Sequence, residues 1–260
     1  MIKLIATDID GTLIKSGHCN LDPQYFEVIE KLTRKGITFV AASGRQVDSI
    51  EKAFEPVIDK IYIVSNNGAL VLKNSEILHS VAIPAEMIPK ISETLRAAGP
   101  MDVTLAGSRC LYCYPDISDE LYDYATNGYG FHVSPFNSYD ELPEIYKICT
   151  YRSGNYPHPA LKVRGMFPGI ALNVADNEWV DLGPDTVSKG AALREIQQML
   201  GIKKEETISF GDQENDIEMF KASGESFAVE NASDIARAAA SAIIPSYEKL
   251  GVLQKLKEYL

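Results

Sequence analysis

Basic residues are in short supply. Lys and Arg number 25 against 36 Asp and Glu, leaving a formal net charge of −11. Nucleic acids and anionic membranes attract basic surfaces, so neither is an expected partner. An anionic substrate would have to be drawn in by a local arrangement of charge. Cysteine is also scarce: Cys19, Cys110, Cys113 and Cys149 are too few and too scattered for a disulfide framework. Cys110-Leu111-Tyr112-Cys113 is a lone C-x-x-C with no second pair of ligands at zinc-site spacing, so ordinary thiols are expected. No apolar run approaches the roughly 20 residues of a membrane-spanning helix. The opening residues lead straight into an apolar strand, which argues against a signal peptide and for a cytoplasmic protein. Internal repeats and low-complexity tracts are missing too. What remains is 260 residues, 45% hydrophobic and 23% charged, as in a soluble globular chain. That length suits one large α/β domain or a core with an inserted module.

Strand-like and helix-like segments alternate in the first third. Ile2, Leu4, Ile5 and Ala6 form an apolar run that reads as a buried strand of a parallel sheet. Asp22-Pro23 can open a helix carrying Tyr25, Phe26, Val28, Ile29 and Leu32, and Lys35-Gly36 closes it. Strands follow at 37–42 and 60–64, with a helix over 47–54 between them. Residues 69–72 and 77–78 then read as a hairpin turning at Lys73-Asn74-Ser75. From Ile83-Pro84 to Gly183 the alternation lapses, and nine of the thirteen tyrosines, Tyr156 included, fall there. This stretch predicts helices near 85–98 and 118–127 and strands at 145–151 and 170–175. Alternation resumes with helices at 189–200, 217–222, 232–242 and 252–260 and strands at 207–210, 226–229 and 242–244. The expected architecture is a doubly wound, Rossmann-like α/β core (1–82 and 184–260) interrupted by an α+β unit (83–183). Hinges are expected near Ile83-Pro84 and Gly183-Pro184.

The chemistry gathers where core strands end, which is where open α/β sheets hold their ligands. The first strand runs into Asp8-Ile9-Asp10-Gly11-Thr12, two carboxylates that repel one another unless a cation sits beside them. Thr12 offers a hydroxyl and an N–H to an anion. The second strand ends in Ser43-Gly44-Arg45, where a helix begins and N–H groups favour phosphate, although Ser43 could simply be an N-cap. The third ends in Asn66-Asn67-Gly68, which reads equally well as a plain turn. Lys189, in the first turn of its helix, opposes the helix dipole unless an anion faces it. Gly211-Asp212-Gln213-Glu214-Asn215-Asp216 again puts carboxylates after a strand. Such an oxygen-rich set suits Mg²⁺, with Asp212 the first choice of ligand there and Asn215 and Asp216 its support.

In this order the motifs Asp8–Thr12, Ser43-Gly44-Arg45, Lys189-Gly190 and Gly211-Asp212 with Asn215-Asp216 resemble the haloacid dehalogenase-like superfamily of phosphohydrolases. Within it the chain is similar to the Cof-type sugar-phosphatase branch, which carries a large α/β cap, and the resemblance spans essentially the whole sequence. It implies a Mg²⁺-dependent phosphatase for small phosphorylated metabolites, with sugar phosphates the expected substrates. Asp8 would attack phosphorus, and Asp10 would protonate the leaving alcohol and then activate water. Asp8, Asp10 (through its backbone carbonyl) and Asp212 would hold the metal. Thr12, Ser43, Gly44 and Lys189 would bind phosphate, while Arg45, Asn67, Asn215 and Asp216 would support the ligands or touch substrate. The inserted unit would act as a lid that selects the leaving group. Arg109, Arg152, Lys162 and Arg164 are its candidate selectors, and its tyrosines serve either as core or as sugar-stacking platforms. The Asn66-Asn67-Gly68 stretch departs from the family, where an acidic or other polar residue often precedes Asn-Gly. Two other readings remain: a phosphotransferase such as a phosphohexomutase, and a non-enzymatic phospho-acceptor or metabolite sensor.

Overall fold

In the computed structural model, which describes residues 1–154, 157–174 and 178–260, the chain divides into two compact units. One comprises Met1–Ser80 with Ser188–Leu260, the other Val81–Val187. The first unit opens with β1 (Leu4–Thr7), α1 (Gln24–Arg34), β2 (Thr38–Ala42), α2 (Val47–Ala53) and β3 (Tyr62–Ser65), followed by the hairpin β4 (Leu70–Lys73) and β5 (Glu76–Ser80). The intervening unit holds α3 (Ile88–Ala98), β6 (Asp102–Ala106), β7 (Leu111–Cys113), α4 (Asp119–Asp123), β8 (Val133–Pro135), β9 (Lys147–Tyr151), β10 (Ile170–Val174) and β11 (Trp179–Pro184). The first unit then resumes with α5 (Lys189–Leu200), β12 (Thr207–Gly211), α6 (Ile217–Lys221), β13 (Glu225–Val229), α7 (Asp234–Ala239), β14 (Ala242–Ile244) and α8 (Gly251–Lys257).

The first unit is a mixed sheet in the order β14-β13-β12-β1-β2-β3-β4-β5. Pairing is parallel from β14 through β3, and the hairpin adds two antiparallel strands at one edge. The central strands read as continuous apolar runs because helices cover both faces. On one face Leu4, Ala6, Val40, Ala42 and Val64 pack against Ala192, Leu193 and Ile196 of α5 and Met219 of α6. α1 buries Tyr25, Val28, Ile29 and Leu32, a stripe at i, i+3, i+4 and i+7. The hairpin turns at Asn74 and Ser75, both at positive φ (51° and 62°), the twist that a two-residue turn requires. Register aligns Thr7 with Ala41 of β2 and with Phe210 of β12, so the loops carrying Asp8, Ser43 and Asp212 leave three adjacent strands at one level.

The second unit has a sheet in the order β10-β11-β9-β6-β7-β8. Its core packs Val103, Leu105, Ile148, Val180 and Leu182 against Ile88, Ile91 and Leu95 of α3, with Ala160 and Val163 beside them. Tyr112, Tyr114 and Tyr139 pack on that core, and Tyr146 and Tyr151 are buried. Tyr156 and Ala175 lie outside the described residues. Two sequence expectations need correction. Gly183 and Pro184, expected near a hinge, lie inside β11, where they pair with Ala171 and Ile170. Pro184 sits beyond the last β9 pairing, at Leu182, where its missing N–H costs the β9 ladder nothing. Ile83 is buried, and its N–H bonds the Ile145 carbonyl at 2.8 Å, so it is anchored too. The compact units accordingly meet at 80/81 and 187/188. The helix expected over 232–242 shrinks to α7, because the Ser233 hydroxyl caps it by accepting from the Ala236 N–H (3.2 Å) and β14 begins at Ala242.

α5 is set against α6 with almost no separation at its start. A Cβ added to Gly190 would overlap the Glu218 carbonyl. In an open helix Gly→Ala gains about 1 kcal/mol, but overpacking of this kind costs about 1–3 kcal/mol, so crowding decides the sign. Gly190→Ala is therefore expected to lower the midpoint of denaturant unfolding; a higher midpoint would show that α5 can shift freely.

Candidate active site

Lys189 is the first residue of α5, whose N-cap Ser188 accepts the Ala191 N–H at 3.0 Å. It is 1% exposed, not a solvated surface lysine. Its Nζ donates to Asp8 Oδ1 at 2.5 Å and to Asp216 Oδ1 at 2.7 Å. Asp216 is fully buried, and its other oxygen accepts the backbone N–H groups of Asp212 (2.9 Å) and Gln213 (3.0 Å). Both of its oxygens are thus committed to support. The placement of Lys189 depends on Gly68, at φ +108°, where a Cβ would strike the Ser188 carbonyl. Only glycine combines that dihedral with that approach.

Asp8, Asp212 and Asp216 each offer an oxygen within 4.8 Å of the others, the one such cluster among the described residues. Burial raises the Asp8 carboxyl to about 6, partly offset by Lys189. Burial also pushes Asp212 to about 9, with the charges of Asp8 and Asp216 adding to the effect. Lys189 goes the other way: burial alone would lower its pKa, but Asp216 and Asp8 more than reverse this and keep it charged. One lysine against three buried carboxylates leaves negative charge uncompensated, so the donor set fits a hard divalent cation. Asp8 and Asp212 can hold such an ion, since Asp216 is spent on Lys189 and on backbone.

Asp10 turns elsewhere. Arg45 grips it as a fork, Nε to Oδ2 and Nη2 to Oδ1, both at 2.7 Å. Arg45 is itself fixed by the His18 carbonyl (2.6 Å) and lies against Ser49 and Cys19. Asp10 keeps 22% of its side chain exposed, whereas Asp8 is buried. The two carboxylates therefore face different cations, and only Asp10 meets solvent.

Ser43 is not an N-cap: Gln46 occupies that position of α2, and the Ser43 hydroxyl accepts the Arg45 N–H at 3.1 Å. Its carbonyl accepts the Asn67 N–H at 3.0 Å, and Gly44 lies against the Asn67 side chain. Asn67 in turn accepts from Asn215 Nδ2 at 3.1 Å, so Asn67 and Asn215 tie two strand-end loops together. Thr12 departs from its expected role. Its hydroxyl donates to Asp212 Oδ1 at 3.0 Å and its N–H to the Ile9 carbonyl at 3.3 Å, so both groups expected on phosphate are used within the loops. Sequence reasoning passed over Asn231, whose Nδ2 donates to the Gly11 carbonyl at 2.7 Å. It stands two residues beyond the end of β13, so the strand-end rule that singled out the other loops would have found it. In the second unit Lys162 caps α3 through the Ala98 carbonyl (2.7 Å), a structural task. Arg109, Arg152 and Arg164 also belong to the second unit, where the backbone N–H of Arg152 donates to the Glu178 carbonyl at 2.9 Å and that of Arg164 to the Leu161 carbonyl at 3.3 Å. None of the four cysteines is in a disulfide.

Residues 5–256 match the family model of haloacid dehalogenase-like hydrolases. A 5-amino-6-(5-phospho-D-ribitylamino)uracil phosphatase, YbjI of Escherichia coli, is 28% identical over all of this chain and 96% of its own length. A solved protein from Eubacterium rectale is 32% identical with a TM-score of 0.89, covering 100% of this chain and 99% of its own. A haloacid dehalogenase-like hydrolase from B. subtilis shares the fold at 24% identity and a TM-score of 0.87, with both chains covered in full.

The Asp212 carboxyl titrates near pH 4 when unfolded and is pushed up to about 9 in the folded, metal-free protein. Its stabilising contribution is complete below about pH 4 and is lost as pH rises toward 9. Without metal, Asp212→Asn is therefore expected to melt above the wild type at pH 8, with the gap closing toward pH 5. Added divalent cation should reverse the order. Parallel melting curves across that range would refute the assignment.

Proposed function

The chain belongs to the haloacid dehalogenase-like hydrolase family, and on that premise we propose that it is a Mg²⁺-dependent phosphatase of small phosphorylated metabolites, sugar phosphates foremost. One observation carries the reading: a buried lysine clasps the carboxylate at the end of β1, with a second buried carboxylate beside it at the end of β12. Such an array binds a transferring phosphoryl group, whose charge spreads over its peripheral oxygens. The phosphorylated ribityl compound in the name of the E. coli relative supports a sugar- or polyol-phosphate class for this chain.

The chemistry follows from the residues. An Asp8 oxygen attacks phosphorus and the P–O bond to the alcohol breaks, giving an aspartyl-phosphate. Lys189, bonded to the other Asp8 oxygen, keeps the nucleophile ionised and aimed and faces the phosphoryl oxygens. Asp10 gives the departing alkoxide a proton; its carboxylate then takes one from the water that attacks phosphorus, releasing phosphate and restoring Asp8. Asp10 Oδ1 accepts from Arg45 Nη2 (2.7 Å) and from the Gly17 N–H (3.3 Å), while Oδ2 accepts from Arg45 Nε (2.7 Å), so it is Oδ2 that keeps a lone pair for that proton. Held by the carboxylates of Asp8 and Asp212 and the Asp10 carbonyl, Mg²⁺ would neutralise developing phosphoryl charge. Ser43 would bind a phosphoryl oxygen through its hydroxyl proton. A cytoplasmic location accords with this substrate class, and no helix among the described residues is long and apolar enough to cross a membrane.

Phosphate release from a panel of sugar phosphates is the test. Asp8→Asn should abolish turnover, and Asp10→Asn should lower kcat by about 10²–10⁴-fold. Chelation should stop the reaction and Mg²⁺ restore it. Full activity in Asp8→Asn, or no phosphate from any ester with Mg²⁺ present, would overturn the proposal.

A further inference from the structure

A closed ring of contacts links the ends of three strands. Asn231, in the loop after β13, donates from Nδ2 to the Gly11 carbonyl at 2.7 Å. Its Oδ1 accepts the Tyr247 N–H at 3.4 Å, which orients the amide with its nitrogen toward Gly11. The Gly11 carbonyl belongs to the peptide that leads into Thr12, so fixing it fixes the start of Thr12. The Thr12 hydroxyl then donates to Asp212 Oδ1 at 3.0 Å. Asp212 closes the ring through its own carbonyl, which accepts the Ser233 N–H at 2.8 Å, two residues beyond Asn231. The loop after β13 thus grips the nucleophile loop on one side and the Asp212 loop on the other. Gly11 has no side chain where a Cβ would overlap the Asp212 carboxylate, so the two loops can close to this distance.

We propose that Asn231 is a positioning residue that sets the separation of Asp8 and Asp212, and with it divalent-cation affinity, by acting through Gly11 and Thr12. This rests on the reading that Asp8 and Asp212 hold the ion. Affinity for a small cation depends on the spacing of its ligand oxygens, and Asn231 reaches both ligand-bearing loops without being a ligand. Asn231 is itself exposed, so truncating it removes hydrogen bonds without opening a core cavity.

The experiment titrates Mn²⁺ into the metal-free protein and follows free Mn²⁺ by electron paramagnetic resonance, for wild type, Asn231→Ala, Thr12→Val and the double variant. Asn231→Ser serves as a second truncation, and melting curves accompany each protein. Both single variants should weaken Mn²⁺ binding, Asn231→Ala by about tenfold, the scale on which outer partners of metal ligands act. The double variant should bind no more weakly than the worse single one, because both changes break the same ring. A purely structural role for Asn231 would instead lower the melting temperature and leave Mn²⁺ binding as in the wild type. That result overturns the proposal, as does a double variant whose losses multiply. No turnover is needed, so a wild type that binds Mn²⁺ but frees no phosphate from any ester would sink the phosphatase reading alone.

Discussion

A lysine held in the dark between two aspartates is the constraint from which the rest of the first unit follows. Desolvating Lys189, Asp8 and Asp216 costs several kcal/mol per ion, and only close, hydrogen-bonded pairing offsets it. Starting a helix with a lysine adds an unfavourable dipole interaction of about 0.3–1 kcal/mol. Two charge-assisted hydrogen bonds, worth about 1.5–3 kcal/mol each, outweigh that. The backbone must therefore come close at every side. Gly68 admits Ser188, Gly190 admits Glu218, and two N–H groups hold the far oxygen of Asp216.

That arrangement also divides labour between neighbouring carboxylates. Asp8 and Asp10 leave the same strand two residues apart, yet each has a cation of its own, Lys189 for one and Arg45 for the other. Separate partners remove most of their mutual repulsion. One is buried against its lysine, and the other keeps part of its side chain in contact with solvent.

The inserted unit is self-sufficient in packing. α3 and the segment near Ala160 seal one face of its sheet. Tyr124, Tyr129, Phe131, Tyr151 and Trp179 form a run of ring contacts elsewhere in the unit. Lys147 and Asp181 add an ion pair at 2.8 Å between β9 and β11. Aromatic enrichment there serves a small unit that must bury enough surface to hold its own shape.

The sequence by itself determined the alternation of strand and helix in the first unit, because parallel strands covered on both faces are written as apolar runs and covering helices as 3.6-residue stripes. It also marked the loops that come together around Lys189, since carboxylates, glycines and a lysine at strand ends are legible as composition at a position. The 189–200 helix and the hairpin at Asn74-Ser75 were local matters, decided by a serine cap and a short polar turn. What only the tertiary structure decided were pairings between residues far apart in the chain: Lys189 with Asp8, Thr12 with Asp212, Asn231 with Gly11, Asn67 with Asn215. Each depends on strand order and register, which no local pattern encodes. For the same reason a Gly-Pro pair read as a hinge lies within β11, and a threonine read as a phosphate ligand holds an aspartate.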